Sequence, residues 1–353
     1  MSDQSMSQAM KTDTRKNQSL EVLKIIAALF VVSIHIRFPG NVGEVFDCLA
    51  RFAVPLFFSI AGYYSSGIGC HHIRKRLRRI FLIFVFSNLF YLACKAASLF
   101  MTDRSGIVPY LIDIFSVKKI AHTVFTGALP IKDHLWYLYA MLLVYLVFWV
   151  YTKFFEGQMI SYKALYIAGL VGFIFLIAFS VKAAGVGIVL PLSLYRNALF
   201  FGLPLFSTGL FLNEYRNRLT AAFPITTAKG FLLIGGGLLL SLLQWFGIGK
   251  SEFPLGMMIV VPVMMLLTQM HPNLPFLSKK AEKLLPYFSQ VALVIYIIHP
   301  FFDSVISTLH ERSELLNTLY SAKYIYPIFI MMVSLLTGIV YSIVSYSIRK
   351  RSK

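Results

Sequence analysis

The sequence predicts an all-α fold, a polytopic integral membrane bundle of about ten transmembrane helices with N- and C-termini cytoplasmic. Three observations predict it. Of 353 residues, 58% are hydrophobic and 14% charged, with a mean hydropathy of +0.72, whereas a soluble domain carries about a quarter charged residues. Ten apolar runs approach the roughly 20 residues that a membrane-spanning helix needs. With the N-terminus inside, 20 of the 33 Lys+Arg fall on the cytoplasmic side, a bias of the sign that orients membrane proteins. An even helix number then returns the C-terminus to the same side.

Taken in order, residues 1–19 are polar and read as a disordered cytoplasmic tail without the apolar core of a signal peptide. The apolar runs occupy about 20–36, 52–66, 80–100, 135–151, 164–183, 197–212, 230–247, 255–270, 291–305 and 326–348. The transmembrane domain is thus expected over 20–348, followed by a basic cytoplasmic tail at 349–353. The long outer segment 101–134 holds an apolar stretch, 108–125, broken by charges, as in a helix lying in the membrane interface. The basic excess is explained by topology, so no nucleic acid partner is expected. Three scattered cysteines, Cys48, Cys70 and Cys94, offer neither a disulfide framework nor a metal-binding spacing, and no metal is expected. No internal repeat is visible, which disfavours inverted-repeat transporters.

An ionisable side chain in hydrocarbon costs at least about 2.5–3.5 kcal/mol on insertion scales, so such groups mark where function should be sought. The first run, SLEVLKIIAALFVVSIHIR, carries Glu21, Lys24 and His35. Eleven residues are close to three helical turns, so Lys24 and His35 share a face about 16 Å apart along the axis, with Glu21 one turn from Lys24. These three read as a polar stripe with a catalytic histidine, or as an interfacial ion pair with His35 capping the outer end. Arg51 opens the second run, RFAVPLFFSIAGYY, as either a surface anchor or a functional cation, and Gly62 allows close helix approach. In HHIRKRLRR, Arg76 and Arg79 are one turn apart. They serve topology and anionic lipid, or clamp a polyanion. His134 and Trp136 with Asp133 open the fourth run, and Tyr296 and His299 share a face of the ninth, where Pro300 should kink the helix.

These residues together resemble the membrane-bound acyltransferase family 3, over nearly the whole chain. The most specific match is a basic residue, ten others and a histidine, Lys24 to His35, with Glu21 three places earlier. RFAVPLFFSIAGYY, RLRR, HLWYLYA, LFFGLPLFSTG and IYIIHP follow in the family's order. Lys24, Glu21 and Ala61 stand where arginine, aspartate and serine are commoner. The chain looks like a minimal version, similar to the enterobacterial common antigen O-acetyltransferase type.

The resemblance implies an O-acyltransferase of the bacterial inner membrane. Its donor would be acyl-CoA, with acetyl-CoA as co-substrate, and its acceptor a hydroxyl of a cell-surface or lipid-linked glycan. Arg76 and Arg79 would then hold coenzyme A phosphates. His35 would be the catalytic base or transient acyl carrier, Lys24 or Arg51 would face the oxyanion, and Glu21 would orient Lys24. Arg51, His134, Trp136, Tyr296 and His299 would form the substrate region, with Tyr137 beside Trp136 to stack on sugar. A transporter or lipid-linked glycan flippase is the competing class, because it also needs intramembrane charges and a cavity.

Overall fold

The computed structural model describes residues 17–126, 131–156, 160–186, 195–274, 288 and 290–351. Expectations for the tail before Asn17, for Lys279, Lys280 and Lys283, which are three of the 20 basic residues counted as cytoplasmic, and for the last two residues lie outside them. The helices are α1 (Gln18–His35), α2 (Gly40–Ala50), α3 (Ala53–Tyr63), α4 (Cys70–Thr102), α5 (Ile107–Ile114), α6 (Val117–Thr126), α7 (Trp136–Phe154), α8 (Lys163–Val186), α9 (Leu203–Glu214), α10 (Arg216–Ala222), α11 (Thr227–Gly247), α12 (Met257–Met270), α13 (Val291–Leu309), α14 (Glu314–Ser321) and α15 (Ile325–Arg351). No strand occurs among the described residues, so the fold is an all-α polytopic membrane bundle. Seven helical segments are long and apolar enough to cross a membrane, and Lys163–Phe179, Ala198–Glu214 and Met257–Met270 are shorter apolar helices.

Each apolar run of the sequence coincides with a helix, with differences at the edges. The second run begins earlier than its hydropathy suggests, because Gly40–Ala50 is also helical and only Arg51 and Phe52 interrupt the passage into α3. The sequence GNVGEVFDCLA mixes glycine and acids with its apolar residues, which hides a helix that buries Gly43, Asp47, Cys48 and Ala50. The interfacial stretch forms two short helices, α5 and α6, that expose Val108, Ile112, Val117 and Ile120. At the two ends, α1 starts at Gln18 and α15 runs through Arg351.

Helix α1 lies at the heart of the bundle. Asn17 caps it, its Oδ1 accepting from Leu20 N at 2.9 Å, and Asn17 Nδ2 donates to Thr268 O at 2.7 Å, tying this end to α12. Leu20, Ala27 and Val31 belong to the main apolar core, whereas Ala28, Val32 and Ile36 belong to a second core built with α13 and α15. Small and β-branched residues on both sides let one helix serve two interfaces. In their apolar stretches of 18 residues, 67% of the residues of the broken span Gly40–Tyr63 are buried against 11% of those of α4, so the former is central and the latter peripheral. Phe81, Phe86 and Leu89 of α4 are exposed, as lipid-facing residues are.

Helices α3 and α9 touch backbone to backbone. A Cβ at Gly62 would sit 1.9 Å from Phe206 O, and one at Gly209 would sit 1.9 Å from Ser59 O. Glycine removes that clash from both partners, a small-residue approach that packs membrane helices without a hydrophobic driving force. Gly209→Val is expected to lower stability by about 3 kcal/mol, because the obstacle is a carbonyl that cannot rotate away. Gly236→Ala, where nothing lies within 4 Å, should be neutral or stabilising by up to about 1 kcal/mol. Thermal unfolding of the purified protein in detergent compares them, and equal midpoints would refute the close-contact account.

Candidate active site

Five sequence-predicted site residues meet in one chamber at the C-terminal end of α1. His35 occupies the last turn of α1, Arg51 the break between α2 and α3, His134 a 3₁₀ turn (Asp133–Leu135), Trp136 the start of α7, and Tyr296 the middle of α13; all line the chamber with Tyr137. Its volume is about 40 Å³, room for a few waters. His35 is an exposed residue that lines the chamber.

Three imidazoles converge there. Ring centroids are 5.2 Å apart for His35 and His299, 5.5 Å for His134 and His299, and 6.1 Å for His35 and His134. His299 is buried, and its Nδ1 lies 3.0 Å from Ile295 O, which requires a proton on Nδ1 and leaves the Nε2 lone pair free. Pro300 cannot donate to the carbonyl four residues back, and that carbonyl, on Tyr296, also lies within reach of His299. His299 Nε2 is buried without a partner, and the ring of His134, also buried, reaches only the Ile297 carbonyl, outside ideal hydrogen-bond geometry. Buried polar atoms without partners are costly, so these nitrogens mark positions where a hydroxyl or water would be stabilised. The backbone of His134 is held by the Tyr296 hydroxyl, which donates to its carbonyl. Among the described residues no group of three His, Cys, Asp or Glu side chains is arranged to hold a metal ion.

The opposite wall is ionic. Arg37 Nη2 lies 2.9 Å from Asp47 Oδ2, Asp47 Oδ1 lies 2.8 Å from Arg51 Nη2, and Arg51 Nη1 lies 2.8 Å from Glu252 Oε2. Arg196 closes the chain on Glu252 through two contacts of 3.1 and 3.2 Å. Arg51 is only 8% exposed; two carboxylates offset the cost of removing its charge from water. Its guanidinium also lies 5.5 Å from the Trp245 ring, and that of Arg196 lies 6.0 Å from Trp136. Burial pushes the Glu252 carboxyl up, but Arg51 and Arg196 outweigh it and hold the group below the usual carboxylate range.

The remaining predicted residues lie at the other end of α1. Lys24 Nζ pairs with Glu21 Oε2 at 2.8 Å, and the chamber includes no residue of α1 before Val31. The polar stripe is therefore interrupted: Ala28 and Val31, on the face between Lys24 and His35, are buried and apolar. Arg76 is half-buried, and its Nη1 donates to Ser65 Oγ at 3.1 Å in the turn after α3. Arg79 is exposed one helical turn away. Sequence reasoning missed Asp47, Arg196 and Glu252. The signal for Glu252 is an acid between Ser251 and Phe253 in a short connection joining two apolar runs, in a chain with few acids.

Compared with known protein families, residues 17–348 match the acyltransferase domain. No curated protein and no solved structure matches the chain.

Glu252→Gln leaves Arg51 and Arg196 short of countercharge and is expected to cost about 3 kcal/mol. Because the carboxyl of Glu252 is held low in the folded state, its contribution is present at neutral pH. It is lost as pH falls below the unfolded value of about 4.3 toward the folded one. Denaturation in detergent between pH 3 and 7 should show a steeper acid loss for wild type than for Glu252→Gln. Parallel curves would count against the ion chain.

Proposed function

The chain belongs to the membrane-bound acyltransferase family 3, and from that premise we propose that it moves an acetyl group from cytosolic acetyl-CoA to a hydroxyl of a cell-surface or lipid-linked glycan. The proposed setting is the bacterial inner membrane. The observation that carries this reading is the convergence of the His35, His134 and His299 rings beside a chamber that His35, His134 and Arg51 line.

His35 takes the proton of the acceptor hydroxyl as the oxygen attacks the thioester carbon. The C–S bond then breaks, and sulfur leaves as thiolate and receives the proton, giving a glycan ester and free coenzyme A. Arg51, whose position is fixed by Asp47 and Glu252, faces the oxyanion that develops between these steps. A donor already held in place needs little reorganisation at the moment of reaction. His134 and His299 offer their unpartnered nitrogens to the acceptor or to an ordered water. Lys24, three turns from His35, is too distant for the oxyanion and acts with Glu21 at the donor side.

Coenzyme A fits the other end. Its phosphates carry several negative charges, and the half-buried Arg76 with exposed Arg79 presents two guanidinium groups from one helix face. The acyl arm reaches His35 by displacing packed side chains near Ala28 and Val31, an induced fit. On the glycan side, Trp136 and Tyr137 line the chamber and offer aromatic faces to a sugar ring. This arrangement favours an enzyme over a flippase, which needs neither a histidine cluster nor a phosphate clamp facing the donor compartment.

His35→Ala should lower transfer of radiolabelled acetyl from acetyl-CoA to glycan by about 10³-fold while the protein still elutes as a folded species. Arg76→Ala should instead raise KM for acetyl-CoA about tenfold with little change in kcat, the mark of lost ground-state binding. Undiminished labelling by His35→Ala would remove the proposed base, and transport of unmodified glycan unaffected by His35→Ala would favour the transporter class.

A further inference from the structure

A second and larger cavity lies beside the chamber. It is a groove of about 560 Å³ between residues 91–101 of α4 and 301–309 of α13, covered by Tyr110 of α5. Tyr91, Ala97, Met101, Phe301 and Val305 make its walls mainly apolar. Two cations interrupt them, Lys95 and Lys132. Among the described residues neither forms an ion pair with an acid. Lys132 donates to Ser304 Oγ at 3.1 Å and lies 5.9 Å from the Tyr91 ring, while Lys95 lies 5.9 Å from the Tyr110 ring.

Depth and continuity give the groove a role. Lys95 follows Arg79 by sixteen residues on α4, about 24 Å along the axis, and the helix between them exposes Phe81, Phe86 and Leu89. A hydrocarbon core is about 30 Å thick, so the two basic sites lie near opposite headgroup layers. The groove also adjoins the site of chemistry. Tyr91 lines it and packs its ring 5.2 Å from that of His134, and Lys132 precedes His134 by two residues.

A mainly apolar trough interrupted by two ammonium groups without acidic partners, near headgroup depth, is complementary to a lipid with a multiply charged head. A phosphodiester headgroup carries one negative charge and leaves one lysine unmatched; a diphosphate matches both. We propose that this groove binds the diphosphate and proximal chain of a lipid-linked saccharide, so that Lys95 and Lys132 hold the head while the attached sugar enters the chamber at His35. The proposal rests on the acyltransferase reading and specifies its acceptor as a lipid diphosphate.

The full-length protein in phosphatidylcholine nanodiscs, photolabelled with a benzophenone-bearing farnesyl diphosphate, tests it. Peptide mapping should place the label in residues 91–101 and 301–309. Lys95→Ala with Lys132→Ala should cut the yield at least tenfold, whereas the corresponding double arginine variant should keep at least half. Excess farnesyl diphosphate should compete at least tenfold better than farnesol or phosphatidylglycerol. Unchanged labelling of the double alanine variant would overturn the proposal. Equal competition by farnesol would reduce the groove to a chain pocket, and equal competition by phosphatidylglycerol would make it a bulk-lipid contact; either refutes the diphosphate assignment. Retention of radiolabelled acetyl-CoA by the same nanodiscs is read separately. Its loss with groove labelling intact counts against the donor reading alone, and intact acetyl transfer without groove labelling counts against this proposal alone.

Discussion

A guanidinium buried in a membrane bundle is tolerable only where the protein supplies its countercharge, and Arg51 organises its end of the molecule around that requirement. It stands where the central span breaks between α2 and α3, with Asp47 one turn behind and Glu252 arriving from the connection of α11 to α12. Those carboxylates in turn hold Arg37 and Arg196. Three distant stretches of chain are thereby fixed by one buried charge. Because carboxylates pair both Nη atoms of Arg51, leaving only its Nε without a partner, the wall of the chamber is polar yet ordered, and such a buried network rigidifies a site.

The packing beneath that wall explains how so many elements reach one small space. Glycines at 62 and 209 bring α3 and α9 into backbone contact, and α1 contributes alternate faces to two cores. Helices this close leave little volume, so the ring centroids of His35, His134 and His299 lie 5.2 to 6.1 Å apart without a large cavity. Pro300 completes the arrangement by freeing a carbonyl beside the His299 ring. Site and fold thus share the same constraint: close helix approach concentrates polar side chains from three helices.

Much of this was legible in the sequence, for identifiable physical reasons. Apolar runs report helices because hydrocarbon tolerates no unpaired backbone, so α1, α4, α7 and α15 could be read directly. His35, Arg51, His134, Tyr296 and His299 stood out because ionisable or hydroxyl groups beside apolar runs need partners. Helix α2 escaped, since its mixture of Gly, Asp and Glu resembles an outer loop until Asp47 is seen to face Arg51. Glu252 and Arg196 escaped as well: a charge in a short connection looks solvated, and the pairing joins residues 56 positions apart. Interruption of the stripe on α1 could be read only when neighbours were in place, because Ala28 and Val31 are neutral at the level of sequence and become barriers only through packing.

That interruption fits the proposed transfer better than a continuous polar track would. A single charged side chain at mid-membrane already costs at least about 2.5–3.5 kcal/mol, so a polyphosphorylated donor head belongs at the Arg76 end. What must pass from there to His35 is the uncharged acyl-bearing arm. The separation of Lys24 and His35 is about 16 Å along α1, and the surface between them is Ala28 and Val31. Such a surface offers an uncharged arm small apolar contacts and offers a phosphate nothing. In the proposed transfer, polarity confined to the two ends of α1 would act as a filter that retains the donor's phosphates at one membrane face while the acyl carbon reaches the other.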